Sequence, residues 1–166
     1  MSNGGKKMLN MLHGLKDIHT VVSNKRKVGG VAEADSIQLS SGEVYQYPVF
    51  TNIDLSKGQY VSLSFIDEKG QNIMTHVNQI AVIKGLAHKL ICQMDNIYVQ
   101  RMLLSESIQY LQKLCEVNEG FVTHTFKKEA LQIVRDISVK ELKRCGVTLP
   151  FQVEEKLVHL SDRMHA

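Results

Sequence analysis

The chain has no tryptophan, and only 6% of its 166 residues are aromatic. That scarcity argues against a stacking-rich surface of the kind that holds carbohydrates or nucleotide caps. Paired cysteines are missing too: Cys92, Cys115 and Cys145 are odd in number and widely spaced, with no redox or metal-ligand spacing between any two. Such a set argues against a disulfide framework and for a reducing, cytoplasmic setting, each thiol filling a small apolar gap. No run approaches the roughly 18 apolar residues of a membrane-spanning helix. Lys6-Lys7 is followed by Met8-Leu9-Asn10-Met11-Leu12-His13-Gly14-Leu15-Lys16, too interrupted for the apolar core of a secretory signal. The expectation is a soluble chain, and 43% hydrophobic with 22% charged residues is a globular composition.

What is present is a change of hydrophobic period near Lys84 and Gly85. From about Ser36 to Ile83 apolar residues alternate at period two; from Leu86 to Met164 they recur every three or four positions. The fold class this predicts is α+β. An amphipathic arm occupies 1–24, a small antiparallel β-barrel of the SH3 or OB kind 25–84, and a small helical bundle 85–166.

In the arm, Met8, Met11, Leu15, Ile18 and Val22 predict a helix over 6–22. A lone helix of that length is marginal in water, so its stripe must pack on the rest of the chain or on a second copy. Gly29-Gly30 mark a turn. A hairpin then joins Ser36–Leu39 to Val44–Phe50 through Ser40-Ser41-Gly42, with Pro48 placing the second strand at an edge or at its end. Asn52 to Gly58 reads as a loop. Val61, Leu63 and Phe65 alternate with Tyr60, Ser62 and Ser64 as a half-buried strand; Asp67-Glu68-Lys69-Gly70 turns it, and Asn72 to Ile83 returns with Ile73, Val77 and Ala81 on one face. Closure into a barrel would remove the exposed edges. The helical half predicts one helix from Leu86 to Met102 and a second restarting at Ser105. A third is capped by Thr125 and stopped at Gly146, and a last begins at Pro150 and buries Val153, Leu157 and Leu160.

Charge is divided along the chain. Residues 1–30 sum to +5, 31–83 to −4 and 84–166 to +2. The basic arm, Lys6, Lys7, Lys16, Lys25, Arg26 and Lys27, is the candidate phosphate-contacting surface, with Tyr45, Tyr47, Phe50 and Tyr60 as stacking faces. The sign of the β segment opposes that reading, since a barrel that tracks a phosphate backbone should be basic. Residues 138–148 outline a helix-turn-helix, but Leu142 to Gly146 is one residue short, Lys143 takes the place of a small buried residue, and the next segment is net acidic. Basic residues ahead of a barrel, followed by Asp54-Leu55-Ser56-Lys57-Gly58, are similar to the PilZ family, with its Arg-x-x-x-Arg arm and Asp/Asn-x-Ser-x-x-Gly turn. The arm here has one arginine, Arg26, and Gln59 stands where the family's glycine falls. The resemblance implies a barrel that senses a cyclic dinucleotide, over roughly a third of the chain.

Catalytic patterns are absent from the sequence. His13 and Asp17 share a helix face, and His159 and His165 lie near the C-terminus, but no His-x-x-x-His or Cys-x-x-Cys set occurs. Gly4-Gly5 and Gly29-Gly30 lack the flanking strand, helix and lysine of a phosphate loop. The expectation is a non-catalytic binding or adaptor protein without cofactor or metal. It would engage a protein partner, or its own copy, through the helical unit and a barrel edge, with Tyr45, Tyr47, Phe50, Met8, Met11 and Leu15 at the contact. A nucleic-acid-associated protein using the basic arm is the alternative, and a PilZ-like sensor the lesser one.

Overall fold

The computed structural model describes residues 10–153, apart from the side chains of Asn10, Arg26 and Lys27. It is α+β, and the chain divides into two compact units between Arg101 and Met102. The first unit begins with strand β1 (Asn10–Met11), helix α1 (Leu15–Ser23) and the single turn α2 (Lys25–Val28). Strands β2 (Val31–Glu33), β3 (Ser36–Leu39), β4 (Val44–Gln46), β5 (Val49–Ser56), β6 (Gln59–Ile66) and β7 (Asn72–His76) follow. A 3-10 turn (Val77–Gln79) leads to β8 (Ile80–Lys84) and β9 (Ala87–Lys89).

All pairings are antiparallel. One sheet has the order β1-β9-β2-β5-β6-β7, its first member only two residues long; the other has the order β4-β3-β8. The chain passes from one sheet into the other four times, between β2 and β3, β4 and β5, β7 and β8, and β8 and β9. At the second corner Tyr47 adopts φ 47°, its N–H donating to Asp35 O at 3.0 Å, while the Pro48 carbonyl accepts from Ala34 N at 3.1 Å. Proline has no N–H to give to a ladder, so the strand breaks there. β4 is an edge, but β5, just past Pro48, lies between β2 and β6.

The expected closed barrel is not found. Each sheet ends in unpaired strands among the described residues, because the 3-10 turn separates β7 from β8 and no ladder joins them. That turn also divides the expected single return strand: Ile80 and Ile83 pack toward the core, and Ala81 is exposed. Asn52 to Ser56 is strand, not loop. Its alternation of Asn52, Asp54 and Ser56 with Ile53 and Leu55 sets a polar outer face beside an apolar one, and Lys57-Gly58, at φ 49° and 76°, close a two-residue hairpin.

The core of this unit gathers Phe65, Leu63, Phe50, Ile53, Ala32, Ala34 and Ile37, with Ile18 and Val21 inserted from α1. Burying Ile18 contributes roughly 1.5–3 kcal/mol, the tertiary support that a nine-residue helix cannot supply alone. The predicted helix over 6–22 is therefore shorter where described, beginning after Gly14. Residues 6–9 lie outside the described residues.

The β unit continues past Gly85, since β9 pairs with both β1 and β2. The spacing of Leu86, Leu90 and Ile91 fits a helix face, but this stretch of chain holds β9 and a 3-10 turn (Ile91–Gln93) instead. Helix α3 (Ile97–Val117) then runs through Ser105 without the expected break. In the second unit α4 (His124–Ile137) is capped by Thr123, whose Oγ1 accepts from Phe126 N at 3.2 Å, two residues before the expected cap. Ser138, at φ 77°, caps the separate short helix α5 (Val139–Arg144). Gly146 at φ 68° ends it: Val147 N donates to Leu142 O and Gly146 N to Lys143 O, the paired bonds of a Schellman closure. Leu111, Phe126, Ala130, Val134 and Leu142 form this unit's core, and Phe151 packs edge-on against Phe126. Residues 150–153 are not helical, while Val153 joins the core's margin; Leu157 and Leu160 lie outside the described residues. No helix among the described residues is long and apolar enough to cross a membrane.

Gly30 lies where the main chain at the end of β9 leaves no room for a side chain. It has φ +66°, and a Cβ there would stand 2.3 Å from the Lys89 carbonyl oxygen, which belongs to the paired strand β9. Gly30→Ala should therefore cost about 2–4 kcal/mol in urea unfolding. Full stability would show that β2 and β9 do not approach this closely.

Candidate interaction surfaces

The chemistry of the first unit concentrates at one buried cluster. Glu33 ends β2 fully buried, and Lys89 ends β9 nearly so. Lys89 Nζ donates to Glu33 Oε1 at 2.9 Å and to Asp95 Oδ2 at 2.6 Å. The Glu33 carboxylate also accepts the main-chain N–H groups of Asp95, at 2.9 Å, and Asn96, at 3.4 Å. Asn96, likewise buried, accepts from Val99 N at 3.0 Å through Oδ1, which caps α3. Its Nδ2 donates to the carbonyls of Tyr47 at 2.8 Å, Asp67 at 2.9 Å and Ile66 at 3.3 Å. Burial pushes the Glu33 carboxyl above the usual carboxylate range against the pull of Lys89 and the two N–H groups. For Lys89 burial acts downward, but the hydrogen bonds and charges of Asp95 and Glu33 outweigh it and hold the ammonium above its ordinary value.

No buried side-chain nitrogen or oxygen among the described residues lacks a partner. Its arrangement joins two strands to the start of a helix. The nearest approach to a catalytic row lies on the outer face of the first sheet. There Asp54, Ser62 and His76 stand side by side across β5, β6 and β7. Ser62 Oγ donates directly to Asp54 Oδ2, whereas nucleophile activation needs the imidazole between hydroxyl and carboxylate. No metal-binding group of His, Cys, Asp or Glu occurs among the described residues. Asp17 accepts from the main-chain N–H of His13 at 2.7 Å, so that pair finishes the start of α1.

The predicted contact residues scatter. Phe50 is buried in the core, edge-on to Phe65, and is no surface residue. Tyr45 lies half-buried against the same ring, its hydroxyl donating to Glu43 at 3.2 Å. Tyr47 is at the border of exposure, its backbone held by Asp35 and Asn96. Leu15 leans on the core, while Met11 on β1 is 70% exposed. Of the basic arm, Lys16 and Lys25 are exposed on α1 and α2. Lys6, Lys7 and Met8 lie outside the described residues, as do the side chains of Arg26 and Lys27.

Two surfaces were not expected. At the α3–α4 turn Val117 is 78%, Phe121 75% and Val122 50% exposed. On the first sheet Met74, in edge strand β7, is 72% exposed. The sequence carried a signal for the first: Val117, Phe121 and Val122 flank Asn118-Glu119-Gly120, where a turn should be polar. Neither a family model, nor a curated protein, nor a solved structure matches the chain.

The buried cluster gives a pH test. Lys89→Met would leave Glu33 buried without its cation, costing roughly 3–5 kcal/mol at pH 8. Because the fold raises the Glu33 pKa, the variant should regain stability as the pH falls toward 4.5 and the carboxyl is protonated. In the wild type the raised Lys89 pKa adds stability below pH 10.5, lost as the pH climbs through the folded value. Urea unfolding from pH 4 to 11 checks both; a variant as stable at pH 8 as at pH 5 would contradict the pairing.

Proposed function

We propose that this protein is a non-catalytic, cytoplasmic binding or adaptor protein whose second unit engages a protein partner. The observation that supports this most is the exposure of Val117, Phe121 and Val122 within six residues of one turn. Single exposed apolar side chains are ordinary on a soluble surface, but a contiguous group including a phenylalanine marks a contact site. Aromatic side chains carry a large share of binding energy when a partner covers them. The first unit, two antiparallel sheets with a helix, acts as the scaffold, with its charged core groups already committed to each other.

Phe121→Ser and Val122→Ser together should leave the melting temperature within about 2 °C of wild type, since exposed positions contribute little to folding. They should remove the partner. Quantitative mass spectrometry after affinity capture should show proteins retained by the wild type and depleted about tenfold or more by the variant, in proportion to a loss of at least 1.4 kcal/mol. Equal recovery of all proteins would contradict the reading. So would tight, salt-dependent binding of RNA or DNA lost on replacing Lys16 and Lys25, which would instead support the nucleic-acid alternative.

A further inference from the structure

We infer that α4 and α5 are the halves of a bistable helix, with Ser138 as a strained hinge between a bent form and one continuous helix over 124–144. This is independent of the reading of the α3–α4 turn.

Ser138 has φ 77° and ψ 151°. That region of backbone space is populated almost only by glycine, and another residue stays there only where its surroundings hold it. Here the holders are visible. Ser138 Oγ accepts from Glu141 N at 3.3 Å, and Leu142 is buried beside Phe126, Ala130 and Val134.

The local sequence favours the straight form. Residues 124–144 contain no glycine and no proline. Two bonds of a continuous helix already cross the bend: Ser138 N donates to Val134 O at 2.8 Å, and Leu142 N donates to Ser138 O at 3.2 Å. Turning Ser138 into the α region would let Val139, Lys140 and Glu141 donate to the carbonyls four residues before them. It would also set Asp136 beside Lys140 on one face, acid before base, the favourable order for such a pair.

Burial opposes straightening. On a continuous helix Leu142 would stand about 140° from Ile137, away from the stripe that Phe126, Ala130, Val134 and Ile137 bury. The bend returns Leu142 to that core. Tertiary packing therefore holds one form and local propensity the other, a conflict that a uniquely folded element avoids. Straightening withdraws Leu142 and bares the apolar face it covers, so the hinge controls access to that face.

Double electron–electron resonance reads the two forms, with spin labels on Cys145 and on Lys128→Cys in a chain carrying Cys92→Ser and Cys115→Ala. In the straight helix the labelled Cα atoms lie about 26 Å apart, at 1.5 Å per residue, and in the bent form they lie closer. The wild type should show both separations. Ser138→Gly relieves the strain and weakens the straight helix, so it should move the ratio about tenfold or more toward the short one. It should also raise the melting temperature, although exchanging a capping serine for glycine ordinarily lowers stability slightly. Ser138→Ala keeps the strain and removes the cap, and should move the ratio about fivefold toward the long separation. A single short separation in the wild type would overturn the proposal. So would a long population that Ser138→Gly leaves unchanged, or a Ser138→Gly chain that melts below the wild type.

Discussion

The Glu33 carboxylate is the group on which the first unit most depends. It is buried at the end of a central strand, and its charge is tolerable only because Lys89 and the main-chain N–H groups of Asp95 and Asn96 surround it. Those same donors fix the neighbours. Lys89 ties β9 to β2, and the two N–H groups belong to the residues that open α3. Asn96 then reaches the carbonyls of Tyr47, Ile66 and Asp67, so the β4–β5 corner and the β6–β7 hairpin are bound to the same point. A buried ion pair contributes little net stability against an apolar alternative of equal shape. Its value here is geometric: few other arrangements of these strands would satisfy every member of the network.

The sequence revealed the elements whose periods are simple. β3 and the alternation of Leu63 and Phe65 in β6 follow directly from hydrophobic pattern, and Phe126, Ala130, Val134 and Ile137 follow from helical spacing. It misled where a strand keeps a polar outer face, as in Asn52 to Ser56, because Asn, Asp and Ser also compose loops. Leu86 to Ile91 misled for the opposite reason, since so short an apolar run fits strand and helix alike. Barrel closure was a guess about long-range pairing, and a three-residue turn at Val77 was enough to leave the seam open.

The cluster around Glu33 was not legible in the sequence. Glu33 is followed two residues on by Asp35, and Lys89 follows His88, so neither charge stands out locally. Only the fold brings the two together across 56 residues. Among the contact residues chosen from sequence Phe50 is buried, because an aromatic ring fills a core as readily as it serves a surface. Phe50 and Tyr45 instead fill the core around Phe65, while the exposed apolar groups sit at a helix turn and a strand edge.

Native-state amide hydrogen exchange at Asp95, Asn96 and Val99 tests the central claim most directly, because their N–H groups donate to Glu33 and Asn96 within the cluster. If the cluster anchors the unit, these amides exchange only through global unfolding, with opening free energies equal to those of Leu63 and Phe65 in β6. Exchange at rates typical of an exposed loop, while β6 remains protected, would show that the start of α3 opens independently and that the fold does not depend on Glu33.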